Sequence, residues 1–81
     1  MQDIIIKTYY TRTSGTEAWQ ETRREVVAQG GECIDFMRNV KKGAAWMRTL
    51  GGQEISTPKT HTSISPDGLD KVVWSAEKRG E

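Results

Sequence analysis

One stretch of this chain reads as a helix, and the rest reads as strands that need a cover. Thr16 to Gln29 ends at the pair Gly30-Gly31 and puts Trp19, Thr22, Val26 and, more weakly, Val27 on one side of the helical period. Glu17, Gln20, Glu21, Arg24 and Glu25 fall largely on the other side. Two caps compete at its start. Ser14 with Glu17 has capping-box spacing, and Thr16 could cap a helix that opens at Glu17. Gly30-Gly31 supplies the freedom that a C-terminal cap uses. The sequence therefore predicts a single helix over about 16–30, with late-lying Glu25 a mild mismatch to the helix dipole.

The remaining stretches predict strands. Asp3 to Thr13 is rich in Ile, Tyr and Thr, types that strands favour. The face Ile4, Ile6, Thr8, Tyr10 is cleaner than Ile5, Lys7, Tyr9, Thr11 and is expected against the helix. The run Ile4-Ile5-Ile6 predicts that this strand starts covered on both faces or lies centrally. Glu32 to Asn39 alternates and predicts a second strand. Asn39 to Gly43 then reads as a hairpin turn with Gly43 left-handed, and Ala44 to Leu50 as the third strand. Helical spacing also fits Ala44 to Leu50, but Gly43 and Gly51-Gly52 bound it too tightly for a typical helix. Residues 53–65 predict a flexible loop or an edge hairpin around Thr57-Pro58-Lys59, because proline is tolerated at a sheet edge. Ser65-Pro66-Asp67-Gly68 is a turn, Asp70 to Glu77 the last strand, and 78–81 a frayed tail.

These elements make one small domain over 1–81, of class α+β. It has two layers: one helix on a mostly antiparallel sheet of four or five strands, in the order β-α-β-β-(β)-β. No second helix pattern is left to cover the other sheet face. The chain's 35% hydrophobic content allows only a small core, so several of its three Trp, two Tyr and one Phe are expected to be structural. No run is long enough to span a membrane, and no secretory pattern opens the chain. A single cysteine excludes an intramolecular disulfide framework and fits the cytoplasm.

Chemistry is constrained mostly by what is missing. One His and one Cys cannot build a tetrahedral metal site. His61 lies in a Thr/Ser stretch and is expected as a solvated loop residue, and Cys33 as core, so a Cys33–His61 nucleophile and base is discounted. Asp67 with Asp70, and Glu32 with Asp35, lack any pocket-forming pattern around them. Gly30-Gly31 and Gly51-Gly52 match no phosphate-binding fingerprint. The sequence thus predicts no enzyme, no catalytic, cofactor-binding or metal-binding residues, and no small-molecule substrate.

Two binding surfaces remain. The net charge is only +1, yet residues 17–35 hold five acids and two bases, while 36–48 hold Arg38, Lys41, Lys42 and Arg48 and no acid. A domain so nearly neutral does not coat nucleic acid by bulk charge, but a local contact is allowed. Arg38, Lys41, Lys42, Arg48 and Trp46 cluster on the predicted hairpin, with Tyr9 on a sheet face, and form a candidate contact for nucleic acid or an acidic partner. Glu17, Glu21 and Glu25 form a candidate acidic face on the predicted helix. The first expectation is a non-catalytic protein-interaction module, in the class of small inhibitors or regulators of larger assemblies encoded by phages or mobile elements. Its partner is another protein, or itself as a homodimer through an open face or edge. The alternative is a small nucleic-acid-binding protein using the hairpin 38–48.

Overall fold

The computed structural model describes residues 2–49 and 51–80, with backbone alone over 44–49. Five strands and one helix follow in the order β1 (Gln2–Thr11), β2 (Gln20–Gln29), α1 (Glu32–Thr49), β3 (Gln53–Ser56), β4 (Thr60–Ile64) and β5 (Asp70–Arg79). The strands form a single sheet, β2-β1-β5-β4-β3, in which every neighbouring pair is antiparallel. The class is the predicted one, a two-layer α+β fold with a single helix on an antiparallel sheet. The helix, however, lies elsewhere in the chain, and the order is β-β-α-β-β-β.

The stretch 16–30 is not a helix. Its second half is β2, joined to β1 as a hairpin, and Val26 is half-buried in that strand. Thr22, Val26 and Val27 are β-branched and serve a strand as readily as a helix. The decision lies with β1, whose ladder has no other partner on that side. The register slips twice, between Ile5 and Ile6 and between Tyr9 and Tyr10, each time because β2 carries an extra residue. These bulges blur the period-two signal that would have marked the strand.

The predicted strands at 32–39 and 44–50 are instead one helix through Thr49, so the hairpin turn at 39–43 does not exist. Cys33, Phe36, Met37 and Val40 recur at helical spacing and turn inward to differing depths. Glu32 and Asp35 occupy the first turn, where the helix dipole favours them, and Glu32 Oε1 accepts the Gln29 N–H at 2.8 Å. Gly43 sits inside the helix, where glycine costs about 1 kcal/mol and breaks nothing. The glycines that do punctuate are Gly30 (φ 62°), before the helix, and Gly51 (φ 92°), after it.

The helix carries the chain from one sheet edge, β2, to the other, β3. Four strand spacings come to about 19 Å, and its 18 residues extend roughly 27 Å, enough for a diagonal crossing. It covers the face of Ile5 rather than the predicted face of Ile4, Ile6, Thr8 and Tyr10. Ile5 is wholly buried with Ala28, Cys33 and Met37, and Val27, Phe36, Trp74 and Ala76 pack around them. Ile4 and Thr8, on the opposite face, are buried as well, since β1 is flanked by β2 and β5 along its length. No helix covers that opposite face among the described residues. Ser65–Gly68 is the expected turn, closed by Gly68 N–H to Ser65 O at 2.9 Å. Lys78 and Arg79, predicted as part of a frayed tail, are paired with Asp3 and Gln2.

Candidate functional site

The helix begins over the β2 edge and leaves a trough beside its first half. One wall is α1 and the other is the ends of β1 and β5, with the β3–β4 turn closing the far side. The trough holds about 920 Å³. Its apolar lining comes from Ile5, Cys33, Ile34, Met37, Pro58 and Ala76. Ile34 is 70% exposed, an unusual position for a large aliphatic side chain on a helix that has a core to face.

Its rim is basic. Arg38, Lys41 and Lys42 come from the helix, Lys59 from the β3–β4 turn and Lys78 from β5, against the two acids Asp3 and Glu77. Three of the five cations are engaged: Arg38 with Asp35 at 3.3 Å, Lys78 with Asp3 at 3.8 Å, and Lys41 Nζ donating to Thr57 O at 2.9 Å. Lys42 and Lys59 are exposed and have no ion pair among the described residues. The helix thus joins Arg38, Lys41 and Lys42 on one surface, as their proximity in sequence suggested. Lys59 and Lys78 are added by the tertiary fold, and no sequence spacing signals them.

The other predicted contacts disperse. Tyr9 lies on β1, where its hydroxyl donates to Glu25 at 3.1 Å and its ring sits beneath Lys7 and Arg23. The side chains of Trp46 and Arg48 lie outside the described residues. The acidic helix face does not form, because its residues are not on a helix. Glu17 accepts the Thr13 N–H in the β1–β2 loop, Glu21 pairs with Arg24, and Glu25 pairs with Arg23. The slip between Tyr9 and Tyr10 puts Glu21 opposite Tyr10 and Glu25 opposite Lys7, so the two acids face opposite sides of the sheet. Trp19 in the same loop is held by Arg12 at 4.0 Å and Lys71 at 4.6 Å, which leaves its ring faces engaged. Burial and the nearby Arg12 charge push the Lys71 amine below its usual range.

His61 is the largest departure from the sequence reading. It is 1% exposed, not solvated. Its Nε2 lies 2.7 Å from Glu54 Oε2, and its Nδ1 lies 2.6 Å from Ser56 Oγ. Ser63 Oγ donates to the same Glu54 oxygen at 2.5 Å, and Trp74 lies alongside with its ring centroid 5.9 Å away. The Glu54 side chain is also 1% exposed, and its Oε1 has no partner among the described residues. The signal was present: Glu54 and Ser56 alternate in one strand, His61 and Ser63 in the next, so one face of the hairpin is entirely polar. A serine, a histidine and a carboxylate in series invite comparison with a nucleophilic triad. None of the four lines the trough, and both His61 and Glu54 are sealed from solvent. The arrangement ties the edge hairpin to the sheet.

Cys33 is buried and in contact with Ile5, Ala28 and Met37, away from this network. Burial, then the Asp3 and Glu32 charges, push its thiol above the usual range, opposite to a nucleophile's requirement. Among the described residues, no group of His, Cys, Asp and Glu could hold a metal ion, and no helix is long and apolar enough to cross a membrane.

The chain matches no protein-family model, no curated protein and no solved structure. Any functional reading therefore rests on the trough and its rim.

Proposed function

We propose that this chain is a non-catalytic protein-interaction module that binds its partner in the trough beside α1. The observation that carries the reading is the exposed Ile34 standing beside an apolar concavity of about 920 Å³. The sheet edges are poor competitors. The β2 edge is interrupted by two register slips and lined with the pairs Arg23–Glu25 and Arg24–Glu21, and β3 is only four residues long. Regulation or inhibition of a larger assembly is the role such a small module would fill.

Capture from a cell extract with the wild-type chain and Ile34→Asp in parallel tests this reading. A partner retained by the first and lost by the second, with the variant's circular dichroism unchanged, supports it. Equal retention by both moves binding away from the trough.

The five-cation rim favours a second reading, contact with nucleic-acid phosphates. The contact surface would be the basic side of α1, since the predicted hairpin is absent. A salt titration with short DNA and RNA distinguishes it: affinity should fall steeply with salt and disappear in the Lys41→Ala, Lys42→Ala variant.

A further inference from the structure

We propose that the occupant of the trough is an amphipathic helix of a partner protein, with acidic residues toward the end of the trough that Lys42 and Lys59 flank. This rests on the reading of the trough as a protein-binding site and adds the form and charge of what binds there.

The form follows from backbone bonding. An extended peptide gains affinity at a sheet by adding a strand to a free edge. The strands that wall the trough are β1 and β5. β1 lies between β2 and β5, while β5 pairs with β4 only through Ser75 and then gives the Ala76 N–H to Lys59 O, so past Ala76 its free side is a stub of three strand residues, Glu77 to Arg79. Of the two turn residues in the wall, Pro58 has no N–H to give. So short a stub leaves a longer segment to satisfy most of its own backbone, and a helix does so. A helix also fits the wall it meets. Ile34, Met37, Arg38 and Lys41 recur along α1 at three- and four-residue intervals, forming a stripe that is apolar first and basic later. The stretch from Cys33 to Lys42 rises about 14 Å, room for two to three turns of a partner.

The charge follows from the rim. Five cations against two acids leave it net positive, and Lys42 and Lys59 are exposed with no ion pair among the described residues. An acidic flank would neutralise them, and a basic one would be repelled. The partner's apolar side chains then fall against Ile34 and Met37, and its acids beside Lys42 and Lys59. The trough stays open to solvent along one side, which suits the apolar stripe of a helix better than a small amphiphile needing near-complete enclosure.

The test uses three fluorescein-labelled peptides: a helical peptide with Leu at i, i+3, i+4 and i+7 and Glu on its flanks, the same peptide with Lys for Glu, and a scrambled acidic control. Binding is read by anisotropy and by amide shift changes in the isotope-labelled chain; oleate is titrated separately. The acidic helix is expected to shift the amides of Ile34, Met37, Lys42 and Lys59. Lys42→Glu with Lys59→Glu should weaken it about tenfold, and Ile34→Asp should abolish it. Preference for the Lys peptide at the same amides would overturn the acidic assignment while leaving the trough as a protein site. Oleate shifting these amides while no peptide does would overturn the helix and, with it, the protein-binding reading. No shift with any probe would overturn the helical occupant, and the parallel capture with Ile34→Asp would then decide the broader reading alone.

Discussion

Replacing either member of the buried Glu54–His61 pair should cost far more than half of replacing both. In His61→Leu the Glu54 carboxylate stays 1% exposed and keeps only the Ser63 hydroxyl, since its Oε1 has no partner among the described residues. Leaving one member of a buried hydrogen-bonded pair unsatisfied costs about 1–3 kcal/mol. A domain of 81 residues is held by roughly 4–12 kcal/mol in total. Each kilocalorie lowers the melting temperature of so small a chain by about 4–8 °C, so either single variant should lose roughly 4–24 °C. Glu54→Leu with His61→Leu removes both buried polar groups together. It leaves only the Ser56 and Ser63 hydroxyls, which lose about 1 kcal/mol of net bonding each. The double variant should therefore be no less stable than the worse single, with a coupling of at least about 1 kcal/mol. Urea unfolding read by circular dichroism and by tryptophan fluorescence measures this, because Trp74 lies beside His61. Where a leucine variant does not fold, Glu54→Gln and His61→Gln close the same cycle with smaller losses. Additive losses within about 0.5 kcal/mol would refute the view that the four side chains act as one network.

Gly43→Ala should stabilise the chain by up to about 1 kcal/mol, since the position is helical and nothing lies within 4 Å of an added Cβ; a fall in melting temperature would restore the hairpin reading. Gly68→Ala should destabilise by about 1–2 kcal/mol, because φ is 75° there and the turn joins β4 to β5; equilibrium unfolding gives the sign. Cys33 should alkylate slowly in the native state and quickly in urea, as its thiol is buried with its acidity suppressed. Because its folded pKa is raised, its contribution to stability is intact below the ordinary thiol pKa and lost as pH rises past that value. Cys33→Ser should flatten the alkaline limb of the stability profile, and an unchanged limb would contradict the burial argument.

The trough shows how far local and long-range information diverge. Arg38, Lys41 and Lys42 stand close in sequence, so their clustering was legible under either a hairpin or a helix. Lys59 and Lys78 join them only because α1 ends at the β3 edge and β5 runs beside β1. The sequence places Tyr9 on a sheet face as part of a candidate contact, and in the fold Glu25 arrives across the strand pair and accepts a hydrogen bond from its hydroxyl. His61 was misplaced because its neighbours in sequence are polar and its neighbours in space are Glu54, Ser56, Ser63 and Trp74.

By itself the sequence determined the class, the first and last strands of the chain and the Ser65–Gly68 turn. Those depend on local chemistry: runs of Ile, Val, Tyr and Thr that suit a pleated surface, and a Pro-Asp-Gly turn whose bonds close within a few residues. Tertiary structure decided which middle segment would be the helix. The sequence predicts the helix over 16–30 and strands over 32–39 and 44–50, yet Cys33, Phe36, Met37 and Val40 also recur at helical spacing, and both segments contain residues that a strand accepts. The first segment becomes a strand because β1 needs a partner for its ladder and hairpin closure brings one at low entropic cost. The second becomes a helix because Cys33 and Met37 must meet Ile5 and Ala28 while the chain crosses to the far edge of the sheet. Each choice removes the alternative for the other, and that coupling lies in the sheet, not in either segment.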